Sequence, residues 1–217
     1  MSNMLVIGHR GAKGLKKENT EASFKAALEN GVDAIEFDIR TTKDGKIILN
    51  HDPIANGLIV SLSTYAELRK VNPDMLTLEQ ALKIINNRCR LVIEVKRGSD
   101  MSTLIQELAK LKLPKNVNFS SFNFSILKEL RKAFPDVQLT VNDRWSGARA
   151  SHRARILDTK YITMQQRWLW NGFVWSMARG GYKLAAYPLN YPKRAKKWAK
   201  YGLYAAITDR PDLFNQK

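Results

Sequence analysis

The fold is decided by the stretch Met4-Leu5-Val6-Ile7-Gly8-His9-Arg10-Gly11, in which a short apolar run ends in a histidine and an arginine. A second apolar run, Ala34–Ile39, contains Glu36 and Asp38. One helical stretch, Thr20–Asn30, lies between the two runs, so the order is strand, helix, strand. Parallel strands joined by a crossover helix bring their carboxyl ends to the same edge of a sheet. This pattern therefore predicts that the histidine, the arginine and the two acids can be presented together.

The same alternation continues along the whole chain. Strands are predicted at Met4–Gly8, Ala34–Ile39 (with Ile47–Asn50 as an extension or hairpin), Leu91–Val95, Val117–Ser120, Val137–Val141, Tyr161–Met164, Leu184–Tyr187 and Ala205–Thr208. Helical patterns include Thr20–Asn30, Thr77–Asn87, Met101–Leu111 and Ser125–Phe134, whereas residues 145–157 have no clean periodicity. Strands that alternate with helices favour an α/β fold, and eight repeats in 217 residues favour a closed barrel. We predict one barrel domain over residues 1–217.

Composition excludes several classes of protein. No apolar run is long enough to span a bilayer, so an integral membrane protein is not expected. Met4–Gly8 is predicted to be a first strand rather than the apolar core of a signal peptide. Cys89 is the single cysteine, so no intrachain disulfide can form and a reducing compartment fits. We therefore expect a cytoplasmic protein.

The charge is strongly positive and unevenly distributed. The formal net charge is +16, and from Ser151 onward there are 13 Lys and Arg against 3 Asp and Glu, a net of +10. Such a field attracts anions of every kind, including nucleic acid, anionic lipid headgroups and small phosphates. A solvated basic surface explains the charge equally well, so charge alone identifies no partner.

The acidic residues within the strands carry more specific information. Glu36 and Asp38 are two apart on one strand, so both side chains point to the same face, and Glu94 and Lys96 repeat this spacing on the next strand. Three carboxylates that converge in a buried pocket repel one another unless a cation neutralises them. Oxygen ligands suit a hard divalent ion, Mg²⁺ or Ca²⁺, rather than zinc. For any single acid the alternative is an ordinary surface salt bridge.

Taken together, the motifs resemble those of a known enzyme family. They are His9-Arg10-Gly11, Glu18-Asn19-Thr20, Glu36-Phe37-Asp38, Asp44-Gly45 and His51-Asp52. This set resembles the glycerophosphodiester phosphodiesterase family, whose members cleave phosphodiesters on a (β/α)8 TIM barrel with a divalent metal. The resemblance runs from Val6 to Asp212 and is strongest up to His51.

The resemblance implies roles for particular residues. Glu36, Asp38 and Glu94 match the metal-binding carboxylates of the family, and His9 and His51 match its two acid/base histidines. Arg10 and Lys96 would hold the non-bridging phosphate oxygens, with Gly11 allowing close backbone approach and Glu18 in support. Which histidine is the acid and which the base stays open. Asp52 either orients a neighbour or caps a turn, and His152, in a basic stretch, is expected at the surface.

The chain also departs from the family pattern. Lys17 replaces the proline that usually precedes Glu18, and Tyr187-Pro188-Leu189-Asn190 stands where the family commonly has Trp-Thr-Val-Asn. The segment between Asp52 and Thr77 is short, which predicts a reduced insertion after the second strand. Two later motifs are assigned mainly to barrel closure and turn formation: Ser120-Ser121-Phe122 and Thr208-Asp209-Arg210-Pro211.

The predicted function is metal-dependent hydrolysis of a glycerophosphodiester to sn-glycerol 3-phosphate and an alcohol, with water or a substrate hydroxyl as the nucleophile. A lysophospholipase D-like activity on lysophospholipids is the nearer alternative, because an aromatic cluster from Trp168 to Trp175 is flanked by Arg167 and Arg179. A phospholipase C-like barrel fits the acidic motifs less well. A different class, a protein that binds nucleic acid or an anionic membrane, is suggested only by the charge. No specific nucleic-acid motif is present, and peripheral membrane contact stays open.

Overall fold

Eight parallel strands close into a barrel in the computed structural model, which describes residues 4–214. The strands are β1 (Leu5–His9), β2 (Ala34–Thr41), β3 (Ile47–Leu49), β4 (Ile54–Ala55), β5 (Leu58–Ile59), β6 (Arg90–Val95), β7 (Val117–Ser121), β8 (Gln138–Asp143), β9 (Tyr161–Gln165), β10 (Lys183–Tyr187) and β11 (Ala205–Thr208). β1 pairs in parallel with both β2 and β11, which closes the ring, and β3 to β5 lie outside it. The predicted (β/α)8 barrel is therefore confirmed.

Helices connect the strands and cover the barrel. They are α1 (Glu21–Glu29), α2 (Tyr65–Val71), α3 (Leu78–Ile85), α4 (Met101–Lys110), α5 (Phe124–Ala133), α6 (Gly147–Ile156), α7 (Asn171–Arg179) and α8 (Pro192–Ala199). Thr20 and Thr77 cap the N-termini of α1 and α3, since each side chain accepts a hydrogen bond from the backbone N–H three residues on. None of the helices within residues 4–214 has the length and apolar character that a membrane-spanning helix needs.

Helix α6 occupies the stretch in which the sequence shows no clean periodicity. Its buried face consists of Ala150 and Ala154, and the remainder is rich in arginine. Two alanines give a weak hydrophobic signal, so the amphipathic pattern is difficult to recognise. Ser146 caps the helix by accepting a hydrogen bond from the Arg149 backbone N–H.

The segment between β2 and α3 forms a small excursion beside the mouth of the barrel. β3 runs antiparallel to β2, and the two-stranded hairpin of β4 and β5 leads through a 3₁₀ turn to α2. The excursion has a small apolar core of its own, made of Ile48, Ala55, Val60, Leu68 and Met75. This core fixes the excursion against the barrel.

The two ends of the barrel interior differ. At the N-terminal end the inward residues include Ala34, Ala185 and Ala205, whose small side chains leave a cavity of about 760 Å³. None of the three acids predicted to bind a metal, Glu36, Asp38 and Glu94, lines this cavity. Those residues lie toward the carboxyl ends of the strands, where the active sites of this fold are found.

Gly11 has a packing reason that is local to the first turn. Its φ is +82°, and a Cβ at this position would lie 2.5 Å from the Oγ of Ser23 in α1. Gly31 also has a positive φ, of +67°, but nothing lies within 4 Å of its Cβ position. A side chain at either position would therefore meet backbone strain, but only one at Gly11 would also overlap a neighbouring residue.

We expect Gly11→Ala to destabilise the fold more than Gly31→Ala. The second substitution should cost about 1–2 kcal/mol for the left-handed backbone. The first should cost a further ~1–3 kcal/mol because α1 must shift to admit the methyl group. Urea denaturation of both variants measures the difference in free energy of unfolding. Equal losses in the two variants would show that α1 does not constrain the turn.

Candidate active site

Three acidic side chains converge inside the barrel at its C-terminal end. Glu36 and Asp38 alternate along β2, and Glu94 lies on β6 directly across from Asp38 in the strand register. All three are buried, with 5%, 1% and 8% of their surfaces exposed. Each offers a carboxylate oxygen, and these atoms lie within 4.8 Å of one another. The structure therefore brings together the three acids that the sequence predicts as a metal site.

Two cations neutralise part of this negative charge. Lys96 Nζ lies 2.5 Å from Glu94 Oε1 and 3.2 Å from Asp38 Oδ1. Arg10 Nε lies 3.2 Å from Asp38 Oδ2, as an ion pair without hydrogen-bond alignment. The Arg10 backbone N–H donates to Glu36 Oε2 at 3.0 Å. Asp38 thus has two cationic partners, whereas Glu36 has a backbone donor.

The pKa values of the acids follow these contacts. Burial raises the pKa of Glu36 well above its usual range, and the charges of Asp38 and Glu94 raise it further. Burial and Asp38 also raise the pKa of Glu94, to about 7, although Lys96 opposes the rise. Burial would raise the pKa of Asp38 as well, but Lys96 and Arg10 outweigh it and leave that pKa below its usual value.

The donor set fits a hard divalent cation. Three carboxylates exceed the charge that Arg10 and Lys96 supply, and a cation among the oxygens would remove the repulsion that raises two of the pKa values. Asn142, at the end of β8, donates from Nδ2 to Glu94 Oε2 at 3.3 Å. Its carbonyl oxygen is buried and has no hydrogen-bond partner among residues 4–214. Asn142 therefore adds, next to Glu94, one neutral acceptor with free capacity.

His9 is buried beside the acids and is held by a carboxylate. Its Nδ1 lies 2.6 Å from Asp209 Oδ1, and its Nε2 lies 4.0 Å from Glu36 Oε2. Asp209 is itself held by Asn190 Nδ2 at 2.8 Å, with Lys13 Nζ 3.8 Å away. Burial would raise the pKa of Asp209, but the bonds from His9 and Asn190 bring it to about 2. An ionised Asp209 favours the tautomer with the proton on Nδ1, which leaves the Nε2 lone pair facing the acids.

His51 follows β3 and is partly open to solvent. Burial lowers its pKa, although the charge of Asp38 opposes the change. Its Nδ1 lies 2.8 Å from Asp52 Oδ1, so Asp52 is placed to orient this ring. Arg40, buried on β2, donates from Nε and Nη2 to the His51 carbonyl oxygen, at 3.2 and 2.8 Å. It also donates from Nη1 to the Arg97 carbonyl oxygen at 2.9 Å, and so ties the backbone of His51 to the barrel.

The loop after β1 holds Arg10 in an unusual conformation. Arg10 and Asn19 have positive φ values of 50° and 56°, which non-glycine residues rarely adopt. Arg10 Nη1 donates to both oxygens of Glu18, each at 2.8 Å. Asn19 Nδ2 donates to Asp38 Oδ2 at 3.1 Å. Glu18 therefore orients the arginine, and Asn19 helps to orient the Asp38 carboxylate.

Lys17, which occupies the position of the usual proline, joins this loop to the excursion. Its Nζ lies 2.7 Å from Asn72 Oδ1 and 3.0 Å from Asp74 Oδ2. A cavity of about 200 Å³ lies between the two segments, with His51 and Glu18 in its lining. The lysine thus links the loop to the excursion beside this cavity. A proline has no side-chain donor and could not make these contacts.

Several residues of the site are not identified by the sequence reasoning. Asp209 is assigned to barrel closure, yet it holds His9, because β11 pairs with β1 so that Thr208 lies opposite Gly8. Its position at the end of the last barrel strand is the signal that could reveal it. Arg40 continues the alternation of Glu36 and Asp38 along β2, so strand periodicity alone places it on the same face. Asn190 ends the Tyr187–Asn190 segment that the motif comparison marks, whereas Asn142 has no comparable signal in the sequence.

Comparisons with known proteins identify the family of the chain. Residues 9–213 match the model of the glycerophosphoryl diester phosphodiesterase family. The chain belongs to that family. The sequence-based prediction of an enzyme of this kind is therefore confirmed.

Individual relatives extend over nearly the whole chain. A glycerophosphodiester phosphodiesterase of Caldanaerobacter subterraneus is 27% identical over 96% of this chain and 95% of its own length. A phosphodiesterase of Oleispira antarctica, solved with the product sn-glycerol-3-phosphate, is 26% identical, covers 96% of this chain and 94% of its own, and superposes with a TM-score of 0.87. A glycerophosphodiester phosphodiesterase of Thermotoga maritima, 24% identical, covers 99% of this chain and 98% of its own and supports the fold with a TM-score of 0.82.

Asp209→Asn should lower kcat by about 10²-fold or more. An amide cannot both hold the same His9 tautomer and supply the ionised partner that a protonated ring requires. Asp212→Asn is the matched control, because Asp212 pairs with Arg210 near the surface, and it should leave kcat unchanged. Steady-state kinetics with a thermal unfolding curve for each variant provide the measurement. Unaltered kcat in Asp209→Asn would limit Asp209 to barrel closure.

Proposed function

We propose that the chain hydrolyses a small-molecule glycerophosphodiester to sn-glycerol 3-phosphate and an alcohol, with a divalent metal ion, Mg²⁺ or Ca²⁺, as its cofactor. The observation that carries the proposal is the buried cluster of Glu36, Asp38 and Glu94 beside two cations and His9. Family membership and the product bound to the Oleispira relative support the same substrate class.

The metal would be held by Glu36, Asp38 and Glu94. A bound divalent ion would polarise a phosphate oxygen as a Lewis acid and favour attack at phosphorus. The protein keeps these ligands in place through Lys96, Asn19 and Asn142, whose side chains contact Asp38 or Glu94. Hydrogen bonds of this kind to the ligating side chains raise metal affinity because they fix the ligands before the ion binds.

His9 and His51 would carry the protons of the reaction. His9 holds its Nδ1 proton toward Asp209, so its Nε2 can accept a proton or, once protonated, donate one. His51 lies at the more open side of the site with its Nδ1 toward Asp52, which leaves its Nε2 for exchange with substrate. One histidine would take the proton of the nucleophile and the other would protonate the leaving alcohol.

Arg10 and Lys96 would hold the non-bridging oxygens of the phosphate. Arg10 is fixed by Glu18 and by Asp38, so its guanidinium is oriented before substrate arrives. Donors that are already oriented stabilise the charge that develops in the transition state without further reorganisation. The nucleophile is water or the adjacent hydroxyl of the substrate glycerol, and a cyclic phosphate among early products distinguishes the second route.

A lysophospholipid is the second candidate substrate, favoured by aromatic side chains at the same end of the barrel. Phe122 and Tyr187 pack edge to face with ring centroids 5.8 Å apart, and Arg144 lies over Phe122 at 5.9 Å. These groups offer an apolar wall to a large leaving group. Incubation with a panel of glycerophosphodiesters and lysophospholipids, with and without chelator, identifies the preferred class from the released products.

We expect chelator to abolish turnover and Mg²⁺ or Ca²⁺ to restore it, because the clustered carboxylates need a cation to act together. Glu94→Gln should weaken metal affinity by about 10²-fold, measured by calorimetric titration. The thermal unfolding curve of this variant should match that of wild type. Glu107→Gln, on the exposed face of α4, is the control and should bind metal as wild type does. Full activity in chelator would exclude a metal-dependent reaction.

His9→Ala and His51→Ala should each reduce turnover by about 10²-fold or more, the usual contribution of a general acid or base. A substrate with an activated leaving group requires less protonation, so it should rescue only the variant that lacks the acid. His152→Ala is the control because His152 is exposed on α6. A wild-type rate with natural substrate in either of the first two variants would remove that histidine from the mechanism.

A further inference from the structure

Four of the five tryptophans of the chain are exposed, and the catalytic site explains none of them. Trp145, Trp168, Trp170 and Trp175 have 59%, 49%, 67% and 52% of their surfaces exposed, whereas Trp198 is buried. Indole rings are rarely left in water to this extent by a soluble protein, so a group of them indicates a contact surface. With Tyr191, which is 59% exposed, they form what we call the aromatic rim.

The aromatic rim lies mostly at the end of the barrel that carries the acids. Trp145 follows β8, Trp168 and Trp170 follow β9, and Tyr191 follows β10, while Trp175 lies midway along α7. The rings of Trp145 and Trp168 are 5.6 Å apart, so two of these loops touch. Arg194, at the start of α8 after the β10 loop, donates from Nη1 to Gln166 Oε1 at 3.2 Å and so links the β10 loop to the β9 loop. The three loops therefore form one continuous surface beside the mouth of the site.

Positive charge is interleaved with the rings. Arg144 lies 6.0 Å from the Trp145 ring, Arg179 lies 5.2 Å from the Trp175 ring, and Arg194 lies 5.2 Å from the Tyr191 ring. Residues 144–200 contain 13 Lys and Arg and a single acid, which follows α6 at the opposite end of the barrel. The rim therefore offers aromatic rings and cations without an exposed acid among them.

We propose that the aromatic rim docks this protein on an anionic lipid bilayer. Indole rings settle at the headgroup level, where their apolar body and polar N–H are both satisfied, and neighbouring Lys and Arg are attracted to anionic headgroups. A second copy of the chain is a poor occupant, because the same surface would bring positive charge against positive charge. Docking turns the mouth of the barrel toward the lipid. A lysophospholipid in the bilayer could then enter the site directly, a consequence that rests on the proposed function.

Vesicle binding tests the rim directly. Wild type should bind vesicles of phosphatidylcholine with phosphatidylglycerol, bind pure phosphatidylcholine weakly, and show a blue shift of tryptophan emission on binding. The triple variant Trp168→Ala/Trp170→Ala/Trp175→Ala should lose at least about tenfold in vesicle affinity by co-sedimentation. Ile156→Ala is the matched control, since Ile156 is 55% exposed at the opposite end of the barrel. Circular dichroism confirms that each variant is folded.

The charge contribution has its own matched pair. Lys193→Gln/Arg194→Gln/Lys197→Gln, on α8 beside the rim, should lose about fivefold in affinity for each charge removed. Lys112→Gln/Lys115→Gln/Lys160→Gln removes the same charge at the other end of the barrel and should lose much less. Hydrolysis of a small soluble diester should be unchanged in all of these variants.

Three outcomes would overturn the docking surface: equal vesicle binding by the triple tryptophan variant and wild type, equal losses in the two charge variants, or binding to duplex DNA as tight as to anionic vesicles and insensitive to the tryptophans. The last would identify a general cationic surface. Vesicle binding that follows the rim in a protein without diester hydrolysis would instead contradict the proposed function alone.

Discussion

The mutual repulsion of three buried carboxylates is the constraint on which the C-terminal end of the barrel depends. Glu36, Asp38 and Glu94 present oxygens within 4.8 Å of one another, and all three side chains are buried. Removing one group that contacts these carboxylates would leave a buried charge uncompensated. Each such contact therefore affects stability more than the free energy of an isolated hydrogen bond suggests. The arrangement of Lys96, Arg10 and the nearby amides is understandable as the response of the fold to this charge.

Barrel closure converts distant parts of the chain into one site. β1 lies between β2 and β11, so the first strand meets both the carboxylates of the second strand and the residue that follows the last. His9 consequently contacts Asp209 although 200 residues separate them along the chain. A parallel barrel places every strand end at one rim, and this is why short loops can combine catalytic groups from the whole sequence.

The loop after β1 combines two residues of left-handed conformation with contacts to the acids. Arg10 and Asn19 both have positive φ values and both contact the acidic cluster directly. Surrounding hydrogen bonds must hold such a conformation, and Ser23 contributes by donating to the Arg10 carbonyl oxygen. The substitution of lysine for the usual proline at position 17 is accommodated because its ammonium group binds the excursion instead.

The sequence by itself determined the eight strands, the barrel, and the identity of the three acids. Alternation along β2 and β6 specifies which side chains share a face, and this information is local to each strand. It did not determine α6, because a buried face of two alanines carries little hydrophobic signal.

Only the tertiary structure decided the contacts made across strand pairs and between loops. The local pattern assigns Asp209 to barrel closure and turn formation, whereas its bond to His9 depends on which strands are neighbours in the ring. The exposure of the tryptophans is likewise decided by packing, since the sequence pattern favours a core cluster and the structure leaves the rings exposed. Local periodicity fixes the direction of a side chain, but its partner depends on segments far away in the chain, whose position is set only when the barrel closes.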